Sequence, residues 1–445
     1  MSNSDSRRKQ HSVFLRGREP LLKIFLRGIC ILLGALICWS AVTDNSHVWP
    51  VRNTIEYYAA RSWWNLVGVP GRTHRGSIEG VVSDEAGKPV AQAVVLVSEW
   101  DGRVHSSLTD QKGRYRIEQV PVGFYRLASV APGYSPMQSG GVLRGVTVRP
   151  DRIVQATCQL QLDSPTLKAD FQSPQQLEPQ ELVCQSPVAG SAKRETLRFD
   201  PQQWNELVFL YRPVEAGSGP LPVLLTVYPG PVDTWECVSI GLAQAGYAVL
   251  AVGPAYGLDL TKDVDALQKL LSLVKQGGIA GLDGERIAAL GGSYSALLLE
   301  LLMLRDPGLS AVILLGPPTD MFDFRRRFER EGFRPPFGLD RALVALGLPS
   351  RDPLRYLKHS MVYHVRPGLP ATQIFHSYQD EIVPYQQSSL LADSLSRQGV
   401  ETELHLFEGA SHYLLEDGAA AMKIYQQTLD FLRRHGMAPF PGKGR

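Results

Sequence analysis

The chain has 445 residues, of which 44% are hydrophobic and 20% are charged, and its formal net charge is +2. This length exceeds one typical domain, so two or three folded domains are expected. The near-neutral charge gives no reason to expect nucleic acid as a partner, because proteins that bind it concentrate positive charge.

The N-terminal region combines a basic tail, residues 1–23, with an apolar segment, residues 24–43. Residues 28–42 are apolar or small throughout, and counting back to Ile24 gives about the 20 residues that a membrane span needs. Arg27 would then reach toward the headgroups. Because a basic flank stays in the cytoplasm, we expect a single-pass transmembrane helix that anchors the remaining chain outside. A cleaved signal peptide, which would give a secreted protein, is the alternative.

Residues 44–76 connect the apolar segment to the first folded domain. They contain five aromatic residues among polar ones: Trp49, Tyr57, Tyr58, Trp63 and Trp64. Aromatic side chains are favoured at the membrane surface. The region is therefore either a short amphipathic segment resting there or a linker with a hydrophobic patch that packs on the next domain.

Residues 77–161 consist of short alternating runs separated by turns, for example the runs at 93–97 and 114–117. This spacing predicts a small antiparallel β-sandwich. The order of the motifs G-x-V, D-x-x-G-x-P-V, A-x-V, T-D-x-x-G-x-Y, P-x-G-x-Y and G-Y resembles the carboxypeptidase regulatory-like domains. The resemblance implies a transthyretin-like sandwich without catalytic residues of its own.

Residues 162–194 are rich in proline, glutamine and serine, which predicts a linker. Three cysteines lie outside the apolar segment: Cys158, Cys184 and Cys237. An oxidising compartment would permit one disulfide and leave one thiol. A bridge between Cys158 and Cys184 is one candidate, but the spacing does not decide the pairing.

Residues 195–445 have the pattern of a larger domain. From Pro220 onward predicted strands alternate with helices, which favours a mostly parallel sheet covered on both faces. The predicted strands lie at 223–227, 248–252, 311–315, 372–375 and 404–407, and the last helix runs from 418 to 435. The sequence therefore predicts an α/β domain.

A sharp corner between a strand and a helix is predicted around Ser293. The apolar run from Ile287 to Leu290 predicts a buried strand, and a leucine-rich helix follows Ser295. Two glycines before Ser293 allow the bend. A serine at such a corner is the nucleophile elbow of the α/β-hydrolases, whose motif is G-x-S-x-G. Ser295 replaces the last glycine, where packing requires only a small side chain.

An acyl-transfer hydrolase of this fold needs an acid after the nucleophile and a histidine after the acid. Asp380 follows the strand that ends at Phe375, and His412 follows the strand that ends at Phe407. Taken singly, the three residues would be a turn serine, a helix cap and a surface histidine. Their order, each at the carboxyl end of a predicted strand, predicts instead a triad of Ser293, Asp380 and His412.

Three motifs carry a wider resemblance: G-x-S-Y at 291–294, H-x-x-x-D-x-x-V-P at 376–384 and G-x-x-H at 409–412. They resemble the catalytic domain of the prolyl oligopeptidase family of serine peptidases. V-Y-x-G-P at 227–231 is similar to the dipeptidyl-peptidase-IV-like members. That resemblance implies an oxyanion hole formed by the Tyr228 hydroxyl and the backbone N–H of Tyr294. A tyrosine that only covers the sheet edge is the alternative for Tyr228.

The resemblance extends over residues 195–436, and family members carry a large β-propeller where this chain has only the small sandwich. Dipeptide release is therefore not inherited. We expect a membrane-anchored serine peptidase of the prolyl oligopeptidase type, without metal or organic cofactor. A carboxylesterase of the dienelactone-hydrolase or acetyl-esterase type is the alternative, since ester cleavage needs the same triad. A non-catalytic cell-surface binding protein on a hydrolase scaffold is the further alternative.

The segment at 322–336 is rich in arginine and phenylalanine. Its arginines are Arg325, Arg326, Arg327, Arg330 and Arg334. An insertion here could form a lid in which an arginine grips a substrate carboxylate. A solvated helix face is the other interpretation, and the sequence slightly favours it.

Overall fold

A computed structural model describes residues 48–68, 74–138, 145–163, 173–185, 190–199, 207–215, 219–253 and 260–439. The basic tail and the predicted anchor lie outside these residues. The chain divides into two compact units. One consists of Met1–Gly71 and Arg341–Leu348, and the other of Arg72–Asp340 and Pro349–Arg445.

Helix α1, Trp49–Val67, is the main described element of the first unit. Asn53 is buried in this helix, and its side-chain amide donates to the carbonyls of Ala345 and Leu346 at 3.1 and 3.2 Å. These bonds satisfy a buried polar group that would otherwise destabilise the packing. Much of the predicted linker at residues 44–76 is therefore a helix with a packed face.

The opposite side of α1 exposes an apolar stripe. At the helical spacing of 100° per residue, its members fall on one side: Val51, Ile55, Tyr58, Trp63 and Leu66. Across the described ranges, no helix combines the length and apolar composition that a membrane span requires.

The second unit begins with a β domain that contains eleven strands among the described residues. They are β1 (Arg75–Asp84), β2 (Val94–Ser98), β3 (Val104–Leu108), β4 (Arg114–Pro121), β5 (Gly123–Tyr125), β6 (Ala128–Val130), β7 (Tyr134–Ser135), β8 (Met137–Gln138), β9 (Val146–Val148), β10 (Ile153–Gln155) and β11 (Cys158–Leu162). One sheet has the order β10-β1-β11-β7, with β4 also paired to β1, and another has the order β3-β2-β6-β8. Strands β5 and β9 form a separate pair.

The strand pairing of this β domain departs from the prediction of a purely antiparallel sandwich. Strand β1 pairs antiparallel with β4 but parallel with both β10 and β11. Parallel neighbours need a long connection between them, and some 70 residues separate β1 from β10. Buried strand residues such as Ile78, Val95 and Ile117 form the core of this domain.

The larger domain is organised around a ten-stranded sheet. Its strands are β12 (Gln175–Gln176), β13 (Gln180–Cys184), β14 (Gly190–Arg198), β15 (Val208–Pro213), β16 (Leu221–Val227), β17 (Ala248–Val252), β18 (Leu282–Gly292), β19 (Ala311–Leu315), β20 (Ala371–Ser377) and β21 (Thr402–Phe407). The order is β12-β14-β15-β17-β16-β18-β19-β20-β21, with β13 paired to β14. Every pair from β17 to β21 is parallel, as predicted.

Helices cover both faces of this sheet. They include α2 (Glu236–Gln244), α3 (Leu260–Lys275), α4 (Tyr294–Arg305), α8 (Gln386–Arg397) and α9 (Gly418–Arg434). Further helices are α5 (Met321–Arg326), α6 (Leu339–Ala345) and α7 (Pro353–Lys358), of which α7 contacts strands β2, β6 and β8 of the β domain. Leucines of α3, α4 and α8 belong to one core cluster, and apolar residues of α2 and α9 belong to the other. A mostly parallel sheet with a helical layer on each face is an α/β architecture, as the predicted α/β-hydrolase fold requires.

The predicted linker and the candidate disulfide both differ from the structure. Strands β12 and β13, within residues 162–194, form part of the catalytic sheet because their backbones pair with β14. Cys184 is bonded to Cys237, and Cys158 is buried and takes no part in that disulfide. The candidate bridge between Cys158 and Cys184 was wrong because Cys158 lies in the core of the β domain.

Candidate active site

Ser293 occupies a strained corner between β18 and α4. Its φ of 54° and ψ of −123° lie in a region that non-glycine residues rarely adopt. A Cβ on Gly291 would lie 2.9 Å from Leu299, and one on Gly292 would lie 3.2 Å from Trp235. The two glycines therefore let the strand turn sharply against its neighbours, which is the geometry of a nucleophile elbow.

The residues around this corner fix its position in the sheet. The backbone N–H of Ser293 donates to the carbonyl of Leu315 at 2.8 Å, which ties the corner to the end of β19. Ser295 is fully buried at the position that usually holds the second glycine. A hydroxymethyl group is thus small enough for the packing there, as the sequence indicated.

Asp380 and His412 meet at the carboxyl edge of the same sheet. His412 Nδ1 lies 2.7 Å from Asp380 Oδ2. The other carboxylate oxygen, Oδ1, accepts the backbone N–H groups of Ile382 and Val383 at 2.8 and 2.7 Å. Burial would raise the pKa of Asp380, but its contacts with His376 and His412 outweigh burial and hold that pKa well below the ordinary value. Asp380 is therefore an anion at neutral pH.

Gly316 is the point on which these residues converge. It follows Leu315, the residue bonded to Ser293, and has a φ of 55°. A Cβ at this position would lie 3.3 Å from His412 Cε1 and 3.4 Å from Asp380 Oδ2. A larger residue would press against both side chains, so glycine leaves room for the Asp380–His412 pair.

The two predicted oxyanion donors lie at the same edge. Val227 pairs with Gly291, so Tyr228 comes next to the corner that holds Ser293. Burial, with smaller contributions from nearby Tyr413 and Glu416, raises the pKa of Tyr228 and keeps its phenol protonated as a donor. Tyr294 begins α4, whose first N–H groups point out of the helix end.

The aromatic ring of Trp235 supports the Tyr228 side chain. The two ring centroids are 4.9 Å apart. Trp235 precedes Cys237, which the disulfide connects to Cys184 at the edge of the sheet. Glu236, between them, accepts hydrogen bonds from Tyr211 and Arg194. The loop that carries Tyr228 is therefore held at its far end by covalent and polar contacts.

The structure places the arginine-rich segment at 322–336 against the β domain, a contact that neither interpretation of the sequence included. Its five arginines all have protein partners. Arg325 pairs with Glu329, Arg326 and Arg327 pair with Asp323, Arg330 pairs with Asp101 at 2.6 Å, and Arg334 lies over the Phe328 ring. Arg325 is fully buried whereas Arg330 and Arg334 are exposed, so only part of the segment is solvated. Asp101 belongs to the β2–β3 turn of the β domain. The segment packs against that domain, a long-range contact that local sequence does not encode.

Ser388 is a site residue that the sequence analysis did not single out, and His376 entered it only as the first residue of the 376–384 motif, without a role. His376 is fully buried, and its Nε2 lies 3.0 Å from Asp380 Oδ2. The sequence signal for His376 was its position four residues before Asp380.

Within the described ranges, no group of three histidine, cysteine, aspartate or glutamate side chains is arranged to hold a metal ion.

Comparison with known families confirms both resemblances. Residues 77–161 match the model of the carboxypeptidase regulatory-like domain, and residues 261–437 match that of the prolyl oligopeptidase family. Esterase 2 of Thermogutta terrifontis phosphonylated by sarin is 21% identical over 54% of this chain and 93% of its own, with a TM-score of 0.44. Its propionate-bound form is 22% identical over 53% and 92%, with a TM-score of 0.43. The apo form is 20% identical over 60% and 98%, with a TM-score of 0.43.

Proposed function

We propose that this chain cleaves peptide bonds outside the cytoplasm. The premise is that it is a serine hydrolase, with a segment that matches the prolyl oligopeptidase family. Ser293, His412 and Asp380 are the proposed triad. The observation that carries the proposal is the pair Leu315–Gly316. Leu315 accepts the backbone N–H of the strained Ser293, and a Cβ on Gly316 would lie within 3.4 Å of both His412 and Asp380.

The geometry supports a specific division of roles. Because Nδ1 of His412 faces Asp380, Nε2 is the nitrogen that can take the proton from the Ser293 hydroxyl. The attacking oxygen then bonds to the acyl carbon, and His412 returns the proton to the leaving group. The anionic Asp380 stabilises the imidazolium formed between these steps. Water repeats the sequence on the acyl-enzyme and releases the acid.

Tyr228 and Tyr294 are the proposed oxyanion donors. The hydroxyl of one and the backbone N–H of the other would bind the oxygen on which negative charge develops. Donors fixed before the reaction stabilise that charge without having to reorganise. The Val-Tyr-Pro-Gly-Pro stretch at 227–231 supports a peptide as substrate, and an ester remains the alternative that the same groups would cleave.

The testing experiment combines active-site labelling with a substrate panel. A fluorophosphonate is expected to label Ser293, as read by mass spectrometry of the peptide that contains it. Wild type should cleave proline-containing peptide amides, and Ser293→Ala should not. Ser411→Ala is the matched control, because Ser411 is an exposed hydroxyl next to His412. Cleavage of p-nitrophenyl esters alone would favour the esterase. Equal rates from wild type and Ser293→Ala would rule out both enzymatic functions and leave the non-catalytic binding protein as the remaining hypothesis.

Three features support a membrane-anchored, extracytoplasmic location. The basic tail before the apolar segment 24–43 predicts the orientation. The Cys184–Cys237 disulfide is typical of an oxidising compartment. Helix α1 begins six residues after the predicted anchor and exposes its apolar stripe, including Trp63, a residue type favoured at the membrane surface.

Protease protection tests this location. Protease added to intact cells, or to spheroplasts where an outer membrane exists, is expected to digest the chain beyond about residue 50. The measurement is immunoblotting with antibodies against the two ends of the chain. Retention in the membrane fraction distinguishes an anchor from secretion after signal cleavage. Digestion that occurs only after lysis would contradict the proposed orientation.

A further inference from the structure

A second imidazole contacts the carboxylate of the proposed triad. His376, near the end of β20, is fully buried, and its Nε2 lies 3.0 Å from Asp380 Oδ2. The same oxygen lies 2.7 Å from His412 Nδ1. Asp380 Oδ2 is therefore placed between two histidines, only one of which has a role in the mechanism above.

The surroundings of His376 decide where its hydrogen lies. Besides Asp380 Oδ2, its Nε2 faces the carbonyl oxygen of Val383 at 2.9 Å. Both neighbours are acceptors, so Nε2 must carry a hydrogen. Nδ1 lies 2.6 Å from the hydroxyl of Ser388, a fully buried residue of α8. In the neutral ring Nδ1 accepts, so the Ser388 hydroxyl donates to it and fixes the ring plane.

We propose that His376 is a positioning residue that holds the Asp380 carboxylate in the orientation required by His412. The Asp380 carboxylate is then held from three directions. Its Oδ1 is bound by two backbone N–H groups. Its Oδ2 lies 2.7 Å from His412 Nδ1 and 3.0 Å from His376 Nε2, whose single N–H is shared with the carbonyl of Val383. Rotation of the carboxylate would break the contacts of both oxygens at once. His376 thereby acts on the reaction through Asp380, without touching the substrate.

Ser388 has a supporting part in this arrangement. It belongs to the first turn of α8, and the neighbouring Gln387 accepts the backbone N–H groups of Thr319 and Asp320 at 3.0 and 2.7 Å. The start of α8 is therefore fixed to the segment after β19. A hydroxyl on a fixed helix is a rigid reference for the His376 ring, since buried and satisfied polar networks specify one arrangement.

Two substitutions of His376 separate positioning from packing. The amide nitrogen of glutamine can occupy the place of Nε2, whereas that of asparagine reaches only the place of Nδ1. His376→Gln is expected to keep kcat within about threefold of wild type. His376→Asn is expected to lower kcat about 10- to 100-fold at nearly unchanged KM, the range for losing a hydrogen bond to a charged group. Asparagine is smaller than glutamine, so packing alone predicts a lower Tm for His376→Asn than for His376→Gln, with kcat similar in the two variants.

The control is His364→Asn. Among the described residues, the hydrogen bond given for His364 Nε2 is to the backbone carbonyl of Leu357 at 2.9 Å and involves no residue of the proposed triad. It should change thermal stability but not kcat. Should His376→Asn fail to fold, Ser388→Ala decides. A three- to tenfold loss of kcat at constant KM supports the proposal, and wild-type kcat overturns it. Equal kcat in the Gln and Asn variants also overturns it.

This inference rests on the proposed triad, and the two can fail separately. If Ser293→Ala retains full activity, the proposed function is wrong. If Ser293→Ala is inactive while His376→Asn equals wild type, the triad stands and only the positioning role is overturned.

Discussion

Replacing Ser293 by alanine is expected to lower kcat about 10⁴- to 10⁶-fold, and adding His412→Ala should cost little more. Nucleophile and base act as one unit, because a base without its nucleophile has no proton to remove. The double variant should therefore lie within about tenfold of either single variant. Residual activity would come from substrate binding and the oxyanion donors.

The measurement is kcat for wild type, both single variants and the double variant, with a substrate found by the panel. Ser411→Ala serves again as the control and should match wild type, because its exposed hydroxyl faces the Tyr413 backbone. If the loss of kcat in the double variant equals the product of the losses in the two single variants, Ser293 and His412 act independently. That outcome would contradict the triad even if each variant alone were impaired.

Replacing Tyr228 by phenylalanine is expected to lower kcat about 10²- to 10³-fold, or roughly 2.7 to 4 kcal/mol. The change removes one hydroxyl and almost no volume. KM should change little, because the hydrogen bond strengthens mainly as charge appears on the substrate oxygen. The raised pKa of Tyr228 keeps this donor protonated through the ordinary alkaline range, so ionisation of Tyr228 should not limit the rate there.

Tyr247→Phe is the matched control for this experiment. Tyr247 is fully buried, and its hydroxyl donates to the carbonyl of Met437 at 2.8 Å. Loss of that bond should lower stability by about 0.5 to 1.5 kcal/mol and leave turnover near normal. A Tyr228→Phe variant that instead shows a lower Tm with turnover within about threefold of wild type would identify Tyr228 as a structural residue.

Several features of this fold could be predicted from local sequence. The strands at 248–252 and 311–315 appear with the predicted bounds, and Gly418–Arg434 forms the last helix. Apolar runs and helical periodicity carry this information within a few residues. The elbow was predictable for the same reason, because two glycines between an apolar strand and a leucine-rich helix specify a sharp turn locally.

Other features were decided by contacts between distant parts of the chain. The pairing of Cys184 with Cys237, the parallel neighbours of β1 and the partners of the arginine-rich segment all depend on which surfaces meet after folding. Composition alone does not distinguish an arginine that faces water from one that pairs with an aspartate more than 200 residues away.

The sequence by itself determined the mostly parallel sheet, the corner at Ser293 and the order of Ser293, Asp380 and His412, because each follows from a local pattern or from the position of a strand end. Only the tertiary structure decided that Gly316 makes room for the Asp380–His412 pair and that His376 contacts the same carboxylate. Both features are contacts between side chains and backbone of different segments, at distances of a few ångströms. They depend on how β18, β19 and β20 pack side by side, which no single segment encodes.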